Sequence, residues 1–66
     1  MQRLVINNEI YTEVNLKETC SVYHDYARID ISKKIGAWEL IFNDCKYDEE
    51  RTVKEFENYL IDLENK

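Results

Sequence analysis

The chain contains no proline and a single glycine, Gly36. One glycine cannot build the glycine-rich loops that cradle phosphates with their main chain, so a P-loop or a dinucleotide fingerprint is excluded. No linker, internal repeat or low-complexity tract appears, and residues 1–66 are expected to form one small domain. Cysteine and histidine are scarce too: Cys20, Cys45 and His24 are the whole supply. The two cysteines form no C-x-x-C pair. Long apolar runs are also missing. No segment approaches the ~20 apolar residues of a membrane span, and Leu4-Val5-Ile6 is far too short for the core of a signal peptide. The expected compartment is the cytoplasm, where thiols stay reduced and a structural disulfide is disfavoured. Basic residues are in the minority, 9 against 14 acidic, for a formal net charge of −5. That sign disfavours nucleic acid and anionic membranes as partners and is compatible with a basic peptide or protein surface.

What is present is a globular composition. Hydrophobic residues make up 44% of the chain, with five Tyr, two Phe and one Trp, and a disordered chain would lack those aromatics. A chain near 60 residues buries only about 60% of its unfolded surface, so stability is expected to be a few kcal/mol. A deep internal cavity is not expected, which weighs against a self-contained enzyme.

Leu4-Val5-Ile6 reads as a short strand ending near Asn7-Asn8, while residues 8–14 fit either a longer strand or the approach to a helix. The first helix is predicted to start at Asn15, with Glu18 completing an N-x-x-E capping box. Leu16, Thr19, Cys20, Tyr23 and Ala27 then share one face, with Tyr26 beside it and Val22 off it. Ala27-Arg28-Ile29-Asp30-Ile31 alternates apolar and polar, as a half-buried strand does. Ser32 to Gly36 reads as a turn, and Ala37 to Phe42 as a strong strand. The last helix is predicted to begin near Asp48, with Glu49 and Glu50 placed against its positive end. Its stripe of Val53, Phe56, Leu60 and Leu63 is read as core. The predicted fold is α+β, βαββα, with a three-stranded sheet and two helices packed on one face. If the first two strands are neighbours they are parallel, with a right-handed crossover; the strand order itself is open.

Some apolar residues are left over. Ile61 falls about 100° from the stripe of the last helix. On the sheet, alternation assigns Leu4, Ile6, Ile29, Ile31, Trp38, Leu40 and Phe42 to one face and Val5, Ala37 and Ile41 to the other. Scattered exposed apolar residues are normal in monomers; a partner surface or a homodimer contact is the sharper reading. Val5, Ile41 and Ile61 are the candidate partner-binding residues. The first strand, if it lies at an edge, can also accept an extended peptide as an added strand.

Chemistry has few candidates. Cys20 and His24, four apart on a helix, can face one ion with Cys45 or Asp48. Zinc wants four N or S ligands, or three plus water, and the close cysteine pair of a zinc ribbon is missing. A Cys20–His24 nucleophile pair would further need an orienting group and an oxyanion hole. Asp44, Asp48, Glu49 and Glu50 lack the order of a calcium loop and are read as capping and solubilising charges. No catalytic residue, metal or cofactor is expected. The five tyrosines fit an interface and equally the boundary of a small core.

The segments Leu16-Lys17-Glu18-Thr19-Cys20-Ser21-Val22-Tyr23, Tyr26-Ala27-Arg28-Ile29-Asp30-Ile31 and Glu55 to Asp62 resemble the His-Xaa-Ser system protein HxsD family. Phe56-x-Asn58-x-Leu60-Ile61 is similar to that family's C-terminal F-x-N-x-L-L. The likeness covers about residues 8–63. It implies a small accessory protein beside a radical SAM enzyme that modifies ribosomally made peptides, binding the enzyme or the precursor peptide. A homodimeric structural or regulatory protein that binds another protein is the alternative.

Overall fold

β3 (Ala37–Asn43) is the centre of the molecule, and its residues read out the two faces of a sheet. In the computed structural model, which describes residues 2–65, Trp38, Leu40 and Phe42 are buried while Ala37, Glu39, Ile41 and Asn43 between them are half-buried. That period of two puts every second side chain into the core. β1 (Gln2–Asn7) and β2 (Arg28–Lys34) flank β3, both antiparallel to it, in the order β1-β3-β2. The register places Leu4 and Ile31 opposite Leu40, Ile6 and Lys33 opposite Trp38, and Ile29 opposite Phe42.

α1 (Glu13–Tyr23) and α2 (Glu49–Glu64) complete the α+β fold in the order βαββα. Leu16 of α1 and Phe56 and Leu60 of α2 share one core with Ile6, Ala27, Trp38, Leu40 and Phe42. Both helices therefore cover the same sheet face. Each fully buried Leu or Phe side chain contributes roughly 1.5–3 kcal/mol through area removed from water. The Phe56 ring meets Phe42 edge-on at 5.2 Å and Tyr23 at 5.6 Å, so it ties both helices and the sheet together. Two threonines lie on these packed faces. Thr19 donates its hydroxyl to the Asn15 carbonyl and Thr52 to the Asp48 carbonyl, each at 2.8 Å. Among the described residues no buried side-chain polar atom is left without a partner.

The structure agrees with the sequence expectation at α2, where Asp48 caps the helix by accepting the Arg51 N–H at 2.9 Å. It differs in three places. α1 starts two residues before Asn15, because Thr12 is the N-cap and accepts the Asn15 N–H. Asn15 instead donates its side-chain amide to Glu64, at 2.8 Å, from the far end of α2. Ala27 is buried as expected, yet it lies between the end of α1 and the start of β2 rather than on the helix. β2 runs on through Ser32-Lys33-Lys34, so the connection shrinks to Ile35-Gly36, with Gly36 at φ +73°. The strand order, which the sequence leaves open, has β3 between β1 and β2.

Candidate functional site: a strand edge and a tyrosine groove

The sheet face away from the helices carries Arg3, Val5, Asn7, Ala37, Glu39, Ile41, Asn43 and the even-numbered residues of β2. Its apolar members are interleaved with polar ones. Ile41 stands opposite Arg3 on one side and Asp30 on the other, and Val5 stands opposite Glu39. Arg3 pairs with Glu39 at 3.3 Å, and Asn43 donates to Asp30 at 3.0 Å. Val5 is 52% exposed and Ile41 half-buried. The register makes them diagonal neighbours, within reach of one bound side chain. Ile61, also half-buried, belongs to α2 and hence to the opposite side of the sheet. The structure thus brings Val5 and Ile41 together and leaves Ile61 apart.

β1 is an edge strand, and hydrogen-bond parity fixes how its main chain points. The Asn8 N–H donates to the Gly36 carbonyl at 3.1 Å, continuing the β1–β3 ladder. Antiparallel pairs alternate, so Ile6, Leu4 and Gln2 also turn their amide groups toward β3. Arg3 and Val5 turn theirs outward. The Asn7 carbonyl, which shares that direction, is taken by the Tyr11 N–H at 3.1 Å. A strand docking at this edge would therefore meet the N–H and C=O of Arg3 and of Val5. β2, the other edge, carries Arg28, Asp30, Lys33 and Lys34, and such charges discourage strand addition. β1 carries only Arg3 beside Leu4-Val5-Ile6.

At the other recognisable surface, α1 ends and α2 begins. There a groove of about 630 Å³ is lined by four of the five tyrosines, Tyr23, Tyr26, Tyr47 and Tyr59, with Val22, Asp48, Arg51 and Glu55 in its walls. Its construction is local. Asp44, at φ 53°, turns the chain out of β3, a conformation Asp tolerates better than most residues. The Lys46 N–H then donates to the Tyr26 carbonyl at 2.7 Å, which pins the 44–48 loop to the α1–β2 connection. The Tyr47 ring comes to 6.0 Å from Tyr26, Tyr26 lies 5.8 Å from Tyr23, and Tyr23 lies 6.1 Å from Tyr59. Burial and then the Glu55 carboxylate push the Tyr23 phenol above its ordinary value. Tyr11, the fifth tyrosine, packs against the core elsewhere, and its carbonyl accepts the Trp38 indole N–H.

No family model, curated protein or solved structure matches this chain.

Sequence reasoning noticed the tyrosines and missed the groove. Tyr23 and Tyr26 are close in sequence, but Tyr47 and Tyr59 arrive from a loop and from the second helix. The one local signal was the i, i+3 spacing of Tyr23 and Tyr26. The residues considered for chemistry are placed differently. Cys20 is half-buried, and burial pushes its thiol up to about 11. Burial and the nearby Glu49 carboxylate push the Cys45 thiol up as well. Neither is poised as a thiolate at neutral pH. His24 is exposed and pairs with Asp25 at 3.2 Å. Among the described residues no three Cys, His, Asp or Glu side chains converge as a metal site, and no helix is long and apolar enough to cross a membrane.

Proposed function

We propose that this chain is a non-catalytic binding protein in the maturation of ribosomally made peptides, engaging a precursor peptide or its radical SAM modifying enzyme. The observation that carries the reading is the β1 edge, where the main chains of Arg3 and Val5 face outward beside an exposed apolar side chain. Main-chain hydrogen bonds at such an edge give affinity for an extended peptide with little demand on its sequence. Val5 then selects a side chain of the added strand, and Ile41, one strand further in beyond Arg3, is reached only by a long side chain lying across the sheet face. Ile61, on the helical layer, is reached only by a partner large enough to extend past the sheet, as an enzyme is. The resemblance to the HxsD family supplies the biological setting, and the raised thiols of Cys20 and Cys45 favour binding over nucleophilic chemistry.

The test is affinity capture of the tagged chain from its native cell under anaerobic conditions, read by mass spectrometry. Recovery of an iron–sulfur enzyme or a short precursor peptide is the expected result. Recovery of the chain alone overturns the maturation role.

A homodimer is the second reading, favoured by the same edge. Two copies of β1 can pair antiparallel about Leu4, so that Arg3 of each lies opposite Val5 of the other and all four outward-facing amide groups are satisfied. Size-exclusion chromatography with light scattering separates the two: a monomer leaves the edge open to peptide, and a tight dimer occupies it.

A further inference from the structure

We propose that the tyrosine groove is a second binding site, separate from the β1 edge, and that it takes an arginine side chain from a basic segment of a protein partner. The groove and the edge share no residue.

The walls carry the chemistry of cation recognition. Tyr26 and Tyr47 are 41% and 62% exposed, which is a large aromatic surface for a small domain to leave in water. Their rings stand 6.0 Å apart at an interplanar angle of 40°, tilted against each other. The electron-rich face of a phenol ring attracts a cation, and the molecule already shows this on its own account. Lys46 Nζ sits 5.7 Å from the centre of the Tyr47 ring. Two carboxylates, Asp48 and Glu55, complete the walls. Asp48 is committed to capping α2. Among the described residues Glu55 is held by Arg51 on the same helix, at 3.2 Å, in a pair whose side chains are 79% and 53% exposed. Such an exposed pair is weak and readily exchanged.

Charge decides the class of occupant. The chain carries −5 overall, and at the groove Asp48 and Glu55 stand against Arg51 and the Lys46 ammonium beside Tyr47, so the acidic balance that favours a cation is that of the whole chain. An acidic segment would be repelled, and a purely aliphatic one would leave Glu55 and the phenol hydroxyls without use. Arginine fits better than lysine. Its planar guanidinium stacks on aromatic faces and forms a two-point bond with a carboxylate, while the lysine ammonium is a compact, strongly hydrated point charge. An incoming arginine would lie over the exposed ring surface of Tyr26 and Tyr47 and replace Arg51 at Glu55.

The test is an NMR titration of the tyrosine ring resonances with the blocked pentapeptide Ac-Ser-Leu-Arg-Leu-Ser-NH2 and with versions carrying lysine or citrulline in place of arginine. Citrulline keeps the shape and removes the charge. The expected result is saturable movement of the Tyr26 and Tyr47 signals with the arginine peptide, weaker binding of the lysine peptide and no saturation with citrulline. Tyr47→Ala and Glu55→Gln, both at exposed positions, should each weaken the arginine peptide by roughly five-fold. Val5→Pro, which alters only the strand edge, should leave that affinity unchanged. Equal binding of the citrulline peptide, or no response to the arginine peptide, overturns the proposal. So does undiminished binding by the Glu55→Gln variant.

Discussion

Replacing Val5 by proline and, separately, Leu4 by proline probes adjacent positions whose main chains point in opposite directions. At Val5 the N–H faces away from β3, so proline removes no ladder bond. The lost valine side chain is half exposed, and the preceding residue is already extended, as proline requires. The expected cost is under ~1 kcal/mol. At Leu4 the N–H points at the carbonyl of Leu40, a residue with no exposed surface. Proline there leaves that buried carbonyl short of a partner, which costs about 1–3 kcal/mol, and trims a partly buried side chain for about 1 kcal/mol more. In a domain of this length each 1 kcal/mol moves Tm by roughly 4–8 °C. Thermal unfolding followed by far-UV circular dichroism should show Leu4→Pro melting at least about 8 °C below wild type, or already unfolded, with Val5→Pro close to wild type. Equal losses would refute the parity argument, since the Val5 N–H would then have a partner inside the chain.

Other consequences are as direct. Phe56→Ala removes the ring that joins Tyr23 to Phe42 and should cost about 3–5 kcal/mol, enough to unfold most of the population at 25 °C; a cooperative urea transition near that of wild type would contradict the packing. Glu64 accepts the Thr12 N–H, the Asn15 side-chain amide and the Thr12 hydroxyl, and these bonds hold its carboxyl below the ordinary value. The stabilisation is therefore present above the ordinary glutamate range and is lost as pH falls through the depressed folded value. Urea unfolding at neutral and at acid pH should show the advantage of wild type over Glu64→Gln shrinking on acidification, and a constant difference would contradict the assignment. With its thiol near 11, Cys20 should be about one part in a thousand thiolate at pH 8. Alkylation by iodoacetamide should accelerate steadily up to that value, and a plateau near neutral pH would show an activated cysteine. Ile41→Glu should preserve the circular dichroism spectrum and abolish partner capture, whereas an unfolded variant would make Ile41 a core residue.

The order of elements was legible because each is marked locally. Asp48 with two following glutamates announces α2, and Trp38, Leu40 and Phe42 alternate cleanly along β3. The strand order was not legible, since nothing within Leu4-Val5-Ile6 says that its partner is β3 rather than β2. Ser32-Lys33-Lys34 reads as a turn by composition. Pairing with Glu39, Trp38 and Ala37 holds it extended, and the Lys33 ammonium sits 5.7 Å from the Trp38 ring. Asn15 reads as a good cap, but Thr12 prevails through Glu64, which lies 52 residues further along the chain. The placement of Val5 and Ile41 on the sheet face away from the helices was legible by alternation alone. The tyrosine groove depends on the Lys46–Tyr26 main-chain bond, which no periodicity encodes.

An open β1 edge that receives a partner strand leaves a signature in its main-chain amides. Hydrogen–deuterium exchange resolved at single amides, in the free chain and with the enzyme or peptide recovered by affinity capture, tests it most directly. In the free chain the Val5 amide should exchange rapidly while Leu4 and Ile6 are protected, and Val5 should become protected when the partner binds. Protection of Val5 in the free chain, or no gain of protection on binding, would contradict it.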